Sequence, residues 1–347
     1  MTIEKYLKEA ADNIDNCINE FDKREMSLLI KVSPKLEKLY AEFSKANGGG
    51  KRLRGMLVML GYEMIKGEAT SDILQPALAY EIFQTAILGH DDIIDKSPIR
   101  RGQDSIYFAL QKKYGEHYGI SQTICLGDIG LFNSSILILN SNFDSTAKFN
   151  AISSFIDTQL KTGIGELLDV ELPYQKETAT IEDILTVYEY KTSHYTIIGP
   201  LHLGAILAGA NTEVLKSLES FGKNLGIAFQ LKDDVLGIFG NEEKIGKSVS
   251  ADIEEGKITC LWYYAIKNSN EEQTKLLQKS YGKGIISSSE IENIRQIFID
   301  TGALEKTNKL IYSYVLEAKQ KISEISISET YKDLLIQLAD YMVGRDK

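Results

Sequence analysis

An all-α fold, laid out as one helical domain over residues 1–347, is predicted by three observations. Only 5 prolines occur (Pro34, Pro76, Pro98, Pro173, Pro200), so long helices can run uninterrupted. Apolar residues recur at helical spacing through most of the chain, and no stretch of convincing length alternates with the two-residue period of a strand. No short internal repeat and no low-complexity linker divides the sequence, although its length alone would suggest two domains.

The elements follow in order. Residues 3–47 are helical, with Pro34 opening a second helix behind Ser33 as its cap. Gly48-Gly49-Gly50 then frees the backbone, and Lys51 and Arg54 emerge beside it. The P-loop spacing is absent, so the segment is either a flexible linker with solvated charges or a grip for an anion. Apolar helices span 56–65 and 76–95, and the second closes on Asp91-Asp92-Ile93-Ile94-Asp95. Asp91 and Asp95 stack one turn apart, where like charges repel unless a cation stands between them. Pro98 ends that helix ahead of Arg100 and Arg101, which as neighbours point different ways.

Helices continue over 105–142 and 145–172, the latter holding Gly165-Glu166-Leu167-Leu168-Asp169. In 181–209, Lys191 and Thr192 interrupt an apolar helix that Pro200 kinks rather than ends. A second long apolar helix, 214–239, reaches Gln230, Asp233, Asp234 and Gly237 near its end. A loop over 240–258 carries Lys247, Asp252 and Lys257, and closing helices fill 288–343.

Composition narrows the function. Hydrophobic residues make up 43% of the chain, enough for a sizeable core, and the net charge of −10 argues against nucleic acid, whose phosphates need a basic face. Cys17, Cys125 and Cys260 are odd in number and far apart, so they form no disulfide framework or zinc spacing and read as buried thiols in a reducing compartment. The first residues lack the build of a signal peptide, and polar residues break the apolar stretches before the roughly 20 needed to span a bilayer. A soluble cytoplasmic protein without stable membrane insertion is expected.

Two apolar helices thus end in aspartate pairs, each followed by basic residues. If the helices face each other, the carboxylates converge and must either bind cations or take up protons. Oxygen ligands alone favour Mg²⁺, which is commonly shared with substrate phosphates. Cations and carboxylates above an apolar interior suit a diphosphate head with a hydrocarbon tail.

The ordered motifs GGKRLRG, DDIID with RRG after it, GELLD, YKTSHYTIIGP, FQLKDDVLG and GKSVSADIEEGKIT resemble the trans-prenyl diphosphate synthases, and the short-chain archaeal-type members most closely. The resemblance covers the chain from Gly49 onward and implies an all-α barrel around a deep apolar pocket, usually a homodimer. It also implies Mg²⁺-dependent head-to-tail condensation of isopentenyl diphosphate with an allylic diphosphate. Lys51, Arg54, Gln84 and Arg101 match the isopentenyl diphosphate site. Arg100, Lys191, Thr192, Gln230, Lys247 and Lys257 match the allylic diphosphate contacts. Asp91 and Asp95, with Asp92 supporting, match the ligands of two Mg²⁺ ions, and Asp233, assisted by Asp234, that of a third.

Three positions depart from the family pattern: Gly237 stands for a third aspartate, Gly55 for a common proline and Glu166 for a common glutamine. Ala86 and Ile87 occupy positions that often form the pocket floor, and Ala86 is small. Phe83 lies one further turn down, roughly 4.5 Å along the helix, and is the expected floor for a geranylgeranyl or somewhat longer product. A class I terpene cyclase or a non-catalytic partner subunit would share the fold. The first has no use for Lys51, Arg54 and Gln84, and the second should have lost its aspartate motifs.

Overall fold

Residues 1–240 and 251–344 are described by the structure, a computed structural model, and Lys247 lies outside them. The described residues are helical almost throughout. They fall into two compact units, Met1–Ile156 with Gly199–Leu215, and Asp157–Ile198 with Lys216–Lys347.

In the first unit α1 (Ile3–Val32) is followed by a single 3₁₀ turn at Pro34–Leu36 and by α2 (Glu37–Asn47). The side chain of Ser33 accepts from the Lys35 amide at 3.3 Å, the cap its sequence suggests. Buried Asp22 on α1 anchors α2 by accepting from Tyr40 Oη, Ser44 Oγ and Asn47 Nδ2 at 2.8–2.9 Å. The central pair is α3 (Leu53–Lys66) and α4 (Leu74–Ile94). Every residue from Gly55 to Met64, and from Pro76 to Phe83, is buried, because helices apolar on all sides can only sit inside.

A two-strand hairpin, β1 (Ile99–Arg100) and β2 (Gln103–Asp104), follows α4. Its loop residues Arg101 and Gly102 both have positive φ, 53° and 73°, as a tight hairpin turn requires. Strand periodicity could not have announced it, since each strand is two residues long. The helix expected over 105–142 is broken at Gly115 into α5 (Ile106–Tyr114) and α6 (Glu116–Leu139). The rest of the unit is the first part of α7 (Ser145–Glu171), α9 (Gly199–Leu207) and the start of α10 (Thr212–Phe239).

α6 corrects one expectation. By length and composition it is apolar enough to cross a membrane, and less than half of its most apolar stretch is buried. Asp128 and Asn133, which interrupt the run, are too few to lower its hydropathy.

The second unit takes the remainder of α7 and α10, with α8 (Ile181–Val187), α11 (Ala251–Glu255), α12 (Cys260–Asn268), α13 (Glu271–Ser280), α14 (Ser288–Asp300), α15 (Ala303–Ile322) and α16 (Glu329–Val343). Its core joins Ile184, Ile227, Leu231, Leu261, Trp262 and Phe298. Tyr188–Ile198 is not α-helical but an 11-residue π-helical stretch, a wider winding usually confined to single turns and often found at functional sites. It passes directly into α9, so Pro200 marks a change of helical winding and not a stop.

Candidate active site

In the first unit the acidic motif closes α4. Asp91 and Asp95 are partly exposed one turn apart, whereas Asp92 is buried at 3% exposure. Arg100 reaches both leading carboxylates: its Nε donates to Asp92 Oδ1 at 2.7 Å and its Nη2 to Asp91 Oδ2 at 2.8 Å. Burial pulls the Arg100 pKa down, but Asp92 and Asp91 outweigh it and hold the guanidinium charged above its ordinary range. The His90 ring lies against Gly127, with Nε2 3.2 Å from the Ile124 carbonyl.

Arg101 faces elsewhere, as expected of a neighbour. With the Gln84 amide oriented to satisfy its surroundings, the Gln84 carbonyl accepts from Arg54 Nη1 at 2.9 Å and Arg101 Nη2 at 3.2 Å. The Arg101 guanidinium also lies against Gly50, where a Cβ would come within 3.2 Å of it. Three of the four residues matched to the isopentenyl diphosphate site are therefore in direct contact, and exposed Lys51 extends the glycine loop beside them. A cavity of about 170 Å³ opens between this loop, α4 and the hairpin, lined by Gly48, Gly49, Gly50, Asp92, Arg100 and Arg101 among others.

Arg52, the middle cation of the glycine motif, has a different task. It is buried in a left-handed conformation (φ 52°), with Nε donating to Asp15 Oδ1 at 2.6 Å and Nη1 lying 3.5 Å from Glu81 Oε2. Glu81 Oε1 accepts from the Gly55 amide at 2.9 Å, in the first turn of α3. That bond accounts for Gly55, since a proline has no N–H to donate. Neither Arg52 nor Glu81 was legible as a pair, because 29 positions separate them and only packing joins them.

Below the motif, Phe83 is 1% exposed and packs edge-on against Tyr80 and Phe155, with ring centroids 6.2 and 5.4 Å away. Ala86 is fully buried and Ile87 partly so.

In the second unit Lys191 and Thr192 stand on the π-helical stretch. Lys191 Nζ donates to Asp169 at 2.6 Å and to Glu166 at 2.8 Å, so GELLD is a carboxylate clamp on this lysine. Gly165 allows the two segments to approach, because a Cβ there would lie 2.2 Å from the Lys191 backbone nitrogen. Glu166, which departs from the family pattern, is thus an ion-pair partner of Lys191.

Thr192 Oγ1 donates to Gln230 Oε1 at 2.7 Å, and Gln230 Nε2 donates to Asp234 Oδ1 at 2.8 Å. The Tyr188 hydroxyl donates to the other oxygen of Asp234 and accepts from the Cys260 amide at 3.3 Å. Asp234 is buried, and desolvation pushes its pKa up to about 7 against the hydrogen bond from Tyr188, with the Asp252 charge adding to the rise. Both its oxygens are engaged, so Asp234 holds Gln230 and Thr192 in place while partly exposed Asp233 precedes it. The first motif repeats the arrangement, with Asp92 buried and Asp91 partly exposed. Lys257 follows α11, its amide donating to the Asp252 carbonyl at 3.0 Å and its Nζ lying 3.2 Å from Glu255.

Among the described residues no group of three or more His, Cys, Asp or Glu forms a ready metal cage. Mg²⁺ is commonly held by one or two carboxylates and completed by water and substrate phosphate. Asp91 and Asp95 in the first unit and Asp233 in the second are partly exposed carboxylates, the hard oxygen donors that Mg²⁺ prefers.

Residues 35–298 match the model of the polyprenyl synthetase family. The geranylgeranyl diphosphate synthase of Methanosarcina mazei is 31% identical over 350 residues, covering all of this chain and 99% of its own. The geranylfarnesyl diphosphate synthase of Aeropyrum pernix is 29% identical over 86% of this chain and 91% of its own. A geranylgeranyl pyrophosphate synthase from Corynebacterium glutamicum, solved with isoprenyl diphosphate and magnesium, superposes with a TM-score of 0.92 at 27% identity, covering 99% of this chain and all of its own.

Proposed function

Because the chain belongs to the polyprenyl synthetase family, we propose that it is a prenyltransferase joining isopentenyl diphosphate head-to-tail to allylic diphosphates. One observation carries the reading. Within a single unit, Gln84 gathers Arg54 and Arg101 beside a glycine loop while Arg100 sits on Asp91 and Asp92. A cationic cradle beside an acidic motif suits two diphosphates of different standing, one bound through cations alone and one through metal.

In this reading Lys51, Arg54, Gln84 and Arg101 hold isopentenyl diphosphate, and Arg100, Lys191, Thr192, Gln230, Lys247 and Lys257 meet the allylic diphosphate. Asp91, Asp95 and Asp233 hold the metal, with Asp92 and Asp234 fixing the geometry around them. Mg²⁺, held by these aspartates in three sites, would offset the charge developing on the leaving diphosphate. The allylic C–O bond breaks with its electron pair leaving on the diphosphate, whose charge Lys191 and Lys257 offset. The double bond of isopentenyl diphosphate attacks the allylic carbon and a proton is lost, with the released diphosphate as its acceptor. Residues 1–347 form one catalytic domain in this reading. The cradle of Arg54, Gln84 and Arg101 has no use in a terpene cyclase.

Incubation with Mg²⁺, labelled isopentenyl diphosphate and allylic primers of several lengths tests the assignment. Labelled linear prenyl diphosphates are expected, and a cyclic hydrocarbon or no product would refute it. Geranylgeranyl diphosphate or a somewhat longer product is supported by the relatives and by a small, buried Ala86 above an aromatic Phe83. Phe83→Ala is expected to lengthen the main product by one or more isoprene units, and an unchanged product would remove Phe83 as the floor.

A homodimer working in the cytoplasm, without stable membrane insertion, completes the reading. On α6, Phe132, Ile136 and Leu139 are exposed on one face, and on α7 Phe149, Leu160 and Leu167 are exposed as well. Apolar faces of this kind mark docking sites on soluble proteins. Sedimentation at micromolar concentration is expected to give twice the chain mass, and Phe132→Glu to shift it toward the single chain.

A further inference from the structure

We propose that Asp252 supplies the third carboxylate of the second aspartate motif, from α11, in place of a side chain at position 237. The inference rests on the prenyltransferase reading and extends it to a residue that the motif pattern did not assign. Gly237 follows Asp233 by four positions on α10, so a side chain there would rise from Asp233's own helical face, one turn on. That place is filled: a Cβ built on Gly237 would lie 2.4 Å from Asp252 Oδ2 and 3.4 Å from its Cγ. Asp252 therefore lays its carboxylate where an aspartate at 237 would begin. A side chain at 237 would make this carboxylate turn aside.

The surroundings fit a positioning role. Asp234, beside Asp233 on α10, has both oxygens taken, by Gln230 and Tyr188. The Asp252 carbonyl accepts from the amides of Gly256 and Lys257 at 3.1 and 3.0 Å, so the turn that fixes this carboxylate also fixes Lys257. A carboxylate delivered from α11 ties the acidic and basic contributions of the second unit into one piece. In this role it orders the water shell of the cation that Asp233 binds and does not touch the reacting carbons. Partners of that kind typically change metal affinity by about 10- to 100-fold.

The experiment is a four-member cycle: the natural chain, Asp252→Ala, Gly237→Asp, and both changes together. Mg²⁺ affinity is measured by calorimetry with inorganic diphosphate present, and folding is checked by thermal denaturation. Asp252→Ala is expected to weaken Mg²⁺ binding about 10-fold while leaving the affinity for isopentenyl diphosphate without Mg²⁺ unchanged. Gly237→Asp alone is expected to be at least as weak, because two carboxylates then compete for one place. The double variant is expected to recover most of the affinity, since the carboxylate is returned from the other helix. Unchanged Mg²⁺ affinity in Asp252→Ala, or a double variant no better than the single ones, would overturn the proposal. Asp252→Asn, nearly isosteric, gives a second measure should the alanine variant unfold, and is expected to show the same loss. Failure of the parent reading looks different: the natural chain itself would then bind no Mg²⁺ with diphosphate and form no prenyl product.

Discussion

Replacing Asp91 by asparagine is expected to lower kcat by about 10³-fold, equivalent to about 4 kcal/mol of transition-state stabilisation. Asp91 is the partly exposed member of the leading pair, and in the proposed reaction its oxygen binds a cation that neutralises the leaving diphosphate. An amide of the same shape keeps the helix and leaves Arg100 bonded to Asp92 through Nε at 2.7 Å, so the fold survives. Steady-state kinetics over a range of Mg²⁺ concentrations, with a denaturation curve beside them, would check both halves. A variant within tenfold of the natural rate would remove Asp91 from the metal site. Asp92→Asn makes the contrast, because Asp92 is buried against Arg100 and its loss should appear in stability as well as in rate.

The largest effect on stability is expected at Arg52. Its side chain is 4% exposed and that of Glu81 is 2% exposed, so Arg52→Leu strands a carboxylate in the interior. Breaking a buried pair from one side costs about 3–5 kcal/mol, readable as a lower denaturation midpoint in urea. Glu81→Gln should be milder, about 1–2 kcal/mol, because an amide oxygen can still accept from the Gly55 amide. Arg52→Met combined with Glu81→Met should regain part of the loss by removing both charges together. A loss below 1 kcal/mol in Arg52→Leu would mean that the pair does not hold α3 to α4.

How much of this was legible in the chain depended on how far apart the partners lie. Asp91 and Asp95 announce themselves, since one turn of helix aligns them wherever the helix goes. Arg100 and Arg101 could be read as divergent from adjacency alone, and the structure sends them to carboxylates and to Gln84 respectively. The lysine and hydroxyl at 191 and 192 stood out against an apolar run, but the π winding did not, because it follows from packing and leaves no periodicity of its own. Arg52 drew no reading of its own within the glycine motif, and only Asp15 and Glu81, distant in sequence, show it to be interior. Glu166 and Gly237 registered as departures from a pattern. Their reasons, Lys191 and Asp252, come from other segments of the chain.

The hairpin at Ile99–Asp104 has a thermodynamic corollary. Arg100 and Arg101 share one peptide bond at the corner of the hairpin, where Arg101 is left-handed, so both guanidiniums hang from one short piece of backbone. Any ligand that draws Arg100 off Asp91 and Asp92 does work on the grip of Arg101 on Gln84, and a ligand at Gln84 does the same in reverse. Linkage of this kind is reciprocal. The affinity of each substrate should therefore depend on the other's presence, by the same factor in both directions.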